Sequence, residues 1–410
     1  FDDAFGNPSG LHAVSQRAKN AMEAARERAA ELLGAARPLE IVFTGGGTEA
    51  DNLAVTGVAL ADGNRGGVVT TAVEHEAVLE SAGFVSRLGG PVAVVGVDHR
   101  GSVDPAQVAA RVTPETRVVS VMAANNEVGT LQPVAEIAAA ARAANPDVLV
   151  HTDAVQAYIS EDVTTASTGA DLIALAAHKF GGPKGVGLLY VRDGVDLEPV
   201  IHGGGQELGR RSGTHNVAGI VGMVAAMEAT VADRTAFRER VGRARDRFER
   251  VLAAAVPGVE INGATEARLV QHSHVRIPGV RAETLLIRLD QAGVAAAAGS
   301  ACQSGAVGVS HVLAAKGVDE TAATECHPYS FGWPSLHESG DRSTHCPAPG
   351  LLSGPWIQVG GRLSASPTLR MFYHLRSVEP MLTGLFCRSI VRSLMVSRCE
   401  GSTLPDLLRG

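Results

Sequence analysis

The sequence predicts a doubly wound α/β protein with a mostly parallel sheet, joined to a smaller α+β domain. Seven short runs, EIVFT, GVVTTAV, PVAVVGV, RVVSVMA, DVLVHTDAV, DLIALAA and GVGLLYV, are apolar nearly throughout. Strands that are continuously apolar rather than alternating belong to a sheet covered on both faces. Helix-like segments such as DPAQVAARV and PVAEIAAAARAA separate several of these runs. Strands alternating with helices build parallel βαβ units. The composition agrees: glycine is abundant at 47 residues, aromatics make up 4%, and alanine and valine dominate the apolar share.

The elements follow in order. AVSQRAKNAMEAARERAAELLGA reads as an amphipathic helix ahead of the first strand. The seven strands and their helices then fill a large domain over residues 1–234. From residue 235 the pattern changes to a long charged helix, RTAFRERVGRARDRFERVLAAAV, followed by VEING, HSHVRIPGV and the helix AETLLIRLDQAGV. This predicts a smaller α+β domain over 235–323, which carries the stretch AGSACQSG around Cys302. After Ala323 the text loses its periodicity and becomes rich in turn formers. Four of the five cysteines and both tryptophans fall there. Residues 324–410 are therefore expected to be an atypical tail, disordered or foreign to the fold, arising from a shifted reading frame or a fused segment. Its cysteines and histidines are too irregularly spaced to predict a metal site.

Composition narrows the function classes. A net charge of −7 with dispersed lysine and arginine leaves no footprint for nucleic acid, so small-molecule chemistry is expected. No stretch reaches the roughly 18 to 20 apolar residues of a membrane helix, and FDDAFGNPSG lacks the blocks of a signal peptide. Cys302 stands alone in the first 323 residues, the cysteine usage of a reduced, cytoplasmic protein. The chain begins at Phe1 rather than Met, and a preceding segment is expected to be missing.

Several motifs carry chemistry. In DLIALAAHKFGGPKGVGLLYV an apolar strand delivers His178 and Lys179 into a glycine-rich turn. An amine at the end of a buried strand suits covalent catalysis, because desolvation favours its neutral form. EIVFTGGGTEADNLAV is a strand, a glycine turn and a helix beginning near Gly47 and Thr48. Backbone N–H groups and the helix dipole at such a junction hold phosphate. VLVHTDAVQA places Asp153 at a strand's carboxyl end with Gln156 three residues on. A carboxylate there suits the ring nitrogen of a pyridoxal cofactor. TAVEHEAVLE adds His75 at another strand-to-helix junction, a position from which an imidazole can stack on a flat ring.

These motifs, with NNEVGTLQPV, HGGGQELGRRSGTHNV and GSACQSG, occur in the order and approximate spacing of the cysteine desulfurases, which the chain resembles from FGNPSGLH to about Ala323. Those are pyridoxal 5'-phosphate enzymes of the aminotransferase class V family, with PLP fold type I. The resemblance implies that Lys179 forms the internal imine, Asp153 pairs with the pyridine nitrogen and His75 stacks on the ring. It implies that Gln156 and Asn126 hydrogen-bond the phenolic oxygen or its surroundings, and that Gly47 and Thr48 bind the phosphate beside His178 and Lys179. Thr214 would complete the phosphate site of a neighbouring protomer, so a homodimer is expected. Cys302 would take sulfur from L-cysteine as a persulfide, with Lys179 and His75 handling protons. The GSAC loop is similar to the group with the longer, mobile cysteine loop, whose sulfur goes to an iron–sulfur scaffold or a tRNA-thiolation protein. A selenocysteine lyase and an impaired homologue are the alternative readings.

Three departures from that family stand out. Its opening segment, resembling YLDNAATTP, precedes Phe1. Ala176 replaces a serine that donates to the phosphate, a loss worth about 1.5–3 kcal/mol. PYSFG puts Pro328 where a stretch resembling RFSLG carries the arginine that clamps the substrate carboxylate.

Overall fold

The computed structural model describes residues 4–63, 65–291, 294–295, 309–331 and 358–359. The chain forms two compact units. One comprises the residues up to Asn126, Thr130–Thr235 and Ala264–Leu269; the other comprises Glu127–Gly129, Ala236–Gly263 and the described residues from Val270 on.

The first unit is built on seven strands: β1 (Ile41–Thr44), β2 (Gly67–Thr71), β3 (Val92–Val95), β4 (Thr116–Ser120), β5 (Leu149–Asp153), β6 (Leu172–Ala176) and β7 (Gly187–Val191). Their order is β1-β7-β6-β5-β4-β2-β3. Pairings among β3, β2, β4, β5 and β6 are parallel, whereas β7 runs antiparallel to both β6 and β1. The expected seven strands are all present, and a single reversed strand makes the sheet mixed rather than wholly parallel.

Helices α1 (Ala13–Leu33), α2 (Gly47–Leu60), α3 (Glu76–Arg87), α4 (Pro105–Ala109), α5 (Val134–Ala144) and α6 (Thr165–Thr168) flank and connect these strands. The α1 helix ends at Gly34, whose left-handed φ of 69° lets its N–H turn back to Ala30 and Glu31. The core packs Leu53, Val55 and Val58 of α2, with Val78 and Val85 of α3, against Val42, Val68, Val118, Leu172 and Leu189 of the sheet. Each such side chain, fully buried, contributes roughly 1.5–3 kcal/mol. This burial explains why the strand runs lack polar alternation.

The helix expected from about residue 235 is the second half of a longer one, α7 (Val217–Ala255), and the division between units falls within it. The second unit holds β8 (Glu260–Asn262), β9 (His272–Arg276), α8 (Ala282–Gln291), β10 (Val294–Ala295), α9 (His311–Ala315), α10 (Glu320–Ala323), β11 (Cys326–Ser330) and β12 (Gln358–Val359). Its three-stranded sheet runs β11-β9-β8, antiparallel throughout.

The position of β11 corrects one expectation. Residues 326–330 follow the compositional break at 324, yet every residue of the strand is buried and in register with β9. Tyr329 packs edge-on against Phe248 at 5.2 Å between ring centres, within the cluster that includes Leu252, Val275 and Leu285. Alternation of Cys326, Pro328 and Ser330 with His327 and Tyr329 satisfies a two-faced strand despite its unusual composition. Pro328 lies opposite His274. Cys302 and nearly all of the chain beyond Phe331 lie outside the described residues. Among the described residues no helix is long and apolar enough to cross a membrane.

Candidate active site at the carboxyl edge of the sheet

The carboxyl ends of β1, β2, β5 and β6 lie on one edge of the first unit's sheet, the edge where open α/β sheets bind ligands. At the end of β1 the chain turns through Gly45 and Gly46 into α2. Gly46 has φ 156° and ψ −177°, a conformation open essentially to glycine alone. It is the N-cap of α2, and no side chain caps the helix. The first N–H groups of α2 are thus left for a ligand, and an anion complements the positive end of the dipole. A Cβ on Gly47 would come within 2.9 Å of Val155 and 3.3 Å of Ala176. The turn is pinned from outside by Glu49, which accepts hydrogen bonds from the Gly45 N–H at 2.8 Å and from Arg211 Nε at 2.7 Å.

Asp153 closes β5. It is buried, and its Oδ1 accepts from the Val155 N–H at 2.9 Å, which fixes the carboxylate's orientation. Burial raises its proton affinity, while His75, the Val155 N–H and Lys179 oppose that rise. His75 and Lys179 therefore bear on Asp153 from two other strand ends. His75 caps α3: its Nδ1 accepts from the Ala77 N–H at 3.1 Å, so the proton of the neutral ring sits on Nε2. Lys179 follows β6 in a 3-10 turn over Ala177–Lys179 and is half-buried. Its neighbour His178 is pushed down to about 4 by burial and by the charges of Lys179 and Lys184, so it is neutral at pH 7.

This arrangement fits pyridoxal 5'-phosphate. The uncapped α2 terminus and its glycines match a phosphate, the buried carboxylate matches a pyridinium nitrogen, and Lys179 supplies the amine.

Comparison with known proteins agrees. The pattern described as aminotransferase class-V matches residues 1–318. A cysteine desulfurase named IscS from Clostridium botulinum (strain Hall) is 40% identical over 344 residues, covering 83% of this chain and 86% of its own. The chain belongs to the class-V aminotransferase family, among the cysteine desulfurases. A solved structure described as a NifS-like protein superposes with a TM-score of 0.77 at 33% identity, covering 96% of this chain and 92% of its own. Another, described as SspA in complex with cysteine, gives a TM-score of 0.67 at 32% identity over 80% of this chain and 90% of its own.

Within this desulfurase frame, Gly47, Thr48, His75, Asn126, Asp153, Gln156, His178, Lys179 and Thr214 all belong to the first unit. Asn126 and Gln156 are half-buried, whereas Thr48 and Thr214 are exposed. Ala176 lies at the last position of β6, facing the place a Gly47 side chain would occupy, and brings no hydroxyl to it.

Sequence reasoning missed the groups that hold this desulfurase site in shape. Arg26 makes a two-pronged ion pair with Glu207, both contacts at 2.8 Å, and His215 donates to the same carboxylate at 2.7 Å. Glu207 also accepts from the Phe43 N–H at 3.2 Å. It thereby ties the loop bearing Thr214 to β1. Burial works against the Glu207 charge, but His215 and Arg26 outweigh it and bring the carboxyl down to about 2. Nothing in EIVFT or HGGGQELGRRSGTHNV announces that partnership, because Arg26 and Glu207 are 181 residues apart. The acidic group Asp51 and Glu74 behind Asp153 was likewise not expected. A local signal existed only for His151, which precedes Asp153 by two positions and so shares its face of β5.

Proposed function

We propose that this protein is a pyridoxal 5'-phosphate-dependent cysteine desulfurase that converts L-cysteine to L-alanine and passes the sulfur to Cys302. The observation that carries the reading is the convergence of Asp153, His75 and Lys179 beside the uncapped α2 terminus, in a chain 40% identical to a cysteine desulfurase over most of its length.

When bound, the cofactor supplies an electron sink conjugated to the amino acid's Cα. The Gly47 and Thr48 N–H groups would hold its phosphate, Asp153 would accept from its ring nitrogen, His75 would stack on the ring, and Gln156 and Asn126 would hydrogen-bond its phenolic oxygen or its surroundings. Lys179 Nζ carries the proton to and from the substrate's carbon, with His75 Nε2 as its partner. The Cys302 thiolate attacks the substrate sulfur. A sulfur–sulfur bond forms as the carbon–sulfur bond breaks, and protonation of the carbon side completes alanine. Exposed Thr214 reaches the phosphate of a second copy, making the active unit a homodimer. The sulfur then passes to an acceptor of the iron–sulfur scaffold or tRNA-thiolation type, in the cytoplasm. The catalytic cysteine belongs to the smaller domain that begins near residue 235 and includes β11.

A second reading, an impaired homologue, is favoured by Pro328, which brings no cation, and by Ala176, which brings no hydroxyl. One assay decides between them: sulfide and alanine release from L-cysteine, with cofactor and reductant, in the parent chain and in Lys179→Ala and Cys302→Ala. Turnover lost in both variants establishes the desulfurase. A parent chain that binds cofactor without turning over identifies the impaired form.

A further inference from the structure

Behind Asp153 lies a polar group that the proposed chemistry does not use. Asp51 of α2, His151 of β5 and Ser120 of β4 are all buried, each at most 1% exposed. His151 and Ser120 are direct partners in the parallel pairing of β4 with β5, and His151 Nδ1 lies 2.8 Å from Ser120 Oγ. On the opposite side of the ring, His151 Nε2 faces Asp51 Oδ1 at 3.6 Å. Neither of those two atoms has a hydrogen-bond partner among the described residues. A buried carboxyl oxygen and a buried ring nitrogen that face only each other are satisfied by one proton between them, with a closing movement of less than about 1 Å.

The surrounding charges decide where that proton rests. Asp51 is surrounded by its own sign: burial raises its proton affinity well above the ordinary carboxylate range, and Asp153 and Glu74 raise it further. Glu74, at the junction of β2 and α3, is raised to about 8 by burial, against hydrogen bonds from Thr71 Oγ1 at 2.6 Å and the Met122 N–H at 3.0 Å. His151 is held neutral, lowered to about 3 by burial. Asp153 differs from both other carboxyls in having Lys179 among the groups that oppose its rise.

We propose that Asp51 carries a proton that it donates to Nε2 of His151, that His151 in turn donates from Nδ1 to Ser120, and that this chain is a positioning device leaving Asp153 as the one charged carboxylate facing the cofactor's ring nitrogen. The inference rests on the reading of Asp153 as that nitrogen's partner. Three ionised carboxylates in one dry pocket repel one another, so neutralising Asp51 and Glu74 concentrates the charge where the ligand's proton needs it. His151 and Asp153, on the same face of one short strand, also share their placement.

Two measurements on the full chain test this. In 15N-histidine-labelled protein, with and without pyridoxal phosphate, the His151 ring is expected to be neutral, protonated on Nδ1 and unchanged between pH 5.5 and 8.5. Its signal is assigned by its absence in His151→Gln. A His151 signal that titrates in that range, or a proton on Nε2, overturns the proposal. In the second measurement, Asp51→Asn is expected to bind the cofactor within about twofold of the parent, with the pH midpoint of its visible band unmoved. Asp51→Leu, which fills the space without a donor, is expected to bind at least tenfold more weakly. Leucine binding as tightly as aspartate sinks the positioning role, and a midpoint displaced by a unit or more in Asp51→Asn means that the native residue is charged. If no form of the chain binds the cofactor, the proposed activity fails, while the histidine signal still reports where the proton lies.

Discussion

Two buried acidic groups in the same unit are handled in opposite ways. Glu207 has a fully buried side chain and is brought down to about 2, because Arg26 grips it with two hydrogen bonds and His215 adds a third. Glu74 is equally buried and is raised to about 8, because its hydrogen bonds from Thr71 and Met122 do not offset desolvation beside Asp153. Burial alone therefore does not set a carboxyl's charge; the sign and number of its neighbours do. The Glu207 cluster is a charged clamp that shapes a loop. In the Glu74, Asp51 and Asp153 cluster, burial instead raises the proton affinity of every member.

The strongest way to break the comparison is to remove Glu207. Glu207→Ala leaves the Arg26 guanidinium buried without its carboxylate, a loss expected to cost about 3–5 kcal/mol. Denaturant unfolding of variant and parent measures it, and a loss below about 1 kcal/mol would show that the clamp is structurally idle.

The site side is sharpened by Ala176→Ser, which restores a hydroxyl where the Gly47 cradle lacks one. A hydrogen bond to a charged phosphate is worth about 1.5–3 kcal/mol, so cofactor affinity is expected to rise roughly ten- to a hundredfold. Fluorescence titration with pyridoxal phosphate reads this directly.

The two clusters also predict opposite pH slopes. Glu207 binds its proton less tightly folded than unfolded, so its contribution to stability is present above about pH 4.5 and is lost as pH falls toward 2. Glu74 binds its proton more tightly folded than unfolded. Its contribution is complete below about pH 4.5 and is lost as pH rises toward 8. Unfolding midpoints across pH should therefore lose their acid limb in Glu207→Gln and flatten between pH 5 and 8 in Glu74→Gln. Parallel curves for both variants would refute the contrast.

The smallest effect is expected at Arg211–Glu49, where both side chains are about a fifth exposed. Water screens such a pair, and Arg211→Gln is expected to cost only about 0.2–1 kcal/mol in the same unfolding measurement. A loss as large as that of Glu207→Ala would mean that exposure is not what separates the two ion pairs.

Much of this was open to sequence reading. Seven apolar runs became the seven strands of the large sheet, because strands covered on both faces need no polar alternation. The glycine turn before Thr48 and the positions of His75, Asp153 and Lys179 at strand ends were readable for the same local reason: each motif couples a strand's end to the element that follows it. The strand Cys326–Ser330 was hidden, since its composition signals a break and only pairing with His272–Arg276 makes it a strand. The extension of α7 back to Val217 was hidden as well, because the charged pattern begins only halfway along it.

What the sequence by itself determined is the order of elements, the glycine turn into α2 and the strand-end positions of His75, Asp153 and Lys179, all of which are encoded in windows of a few residues. What only the tertiary structure decided is the state of charge. Glu207, Glu74, Asp51 and Asp153 are all acidic residues in the sequence, and it is the burial and the distant partners brought to each by folding that lower the proton affinity of Glu207 and raise that of the other three.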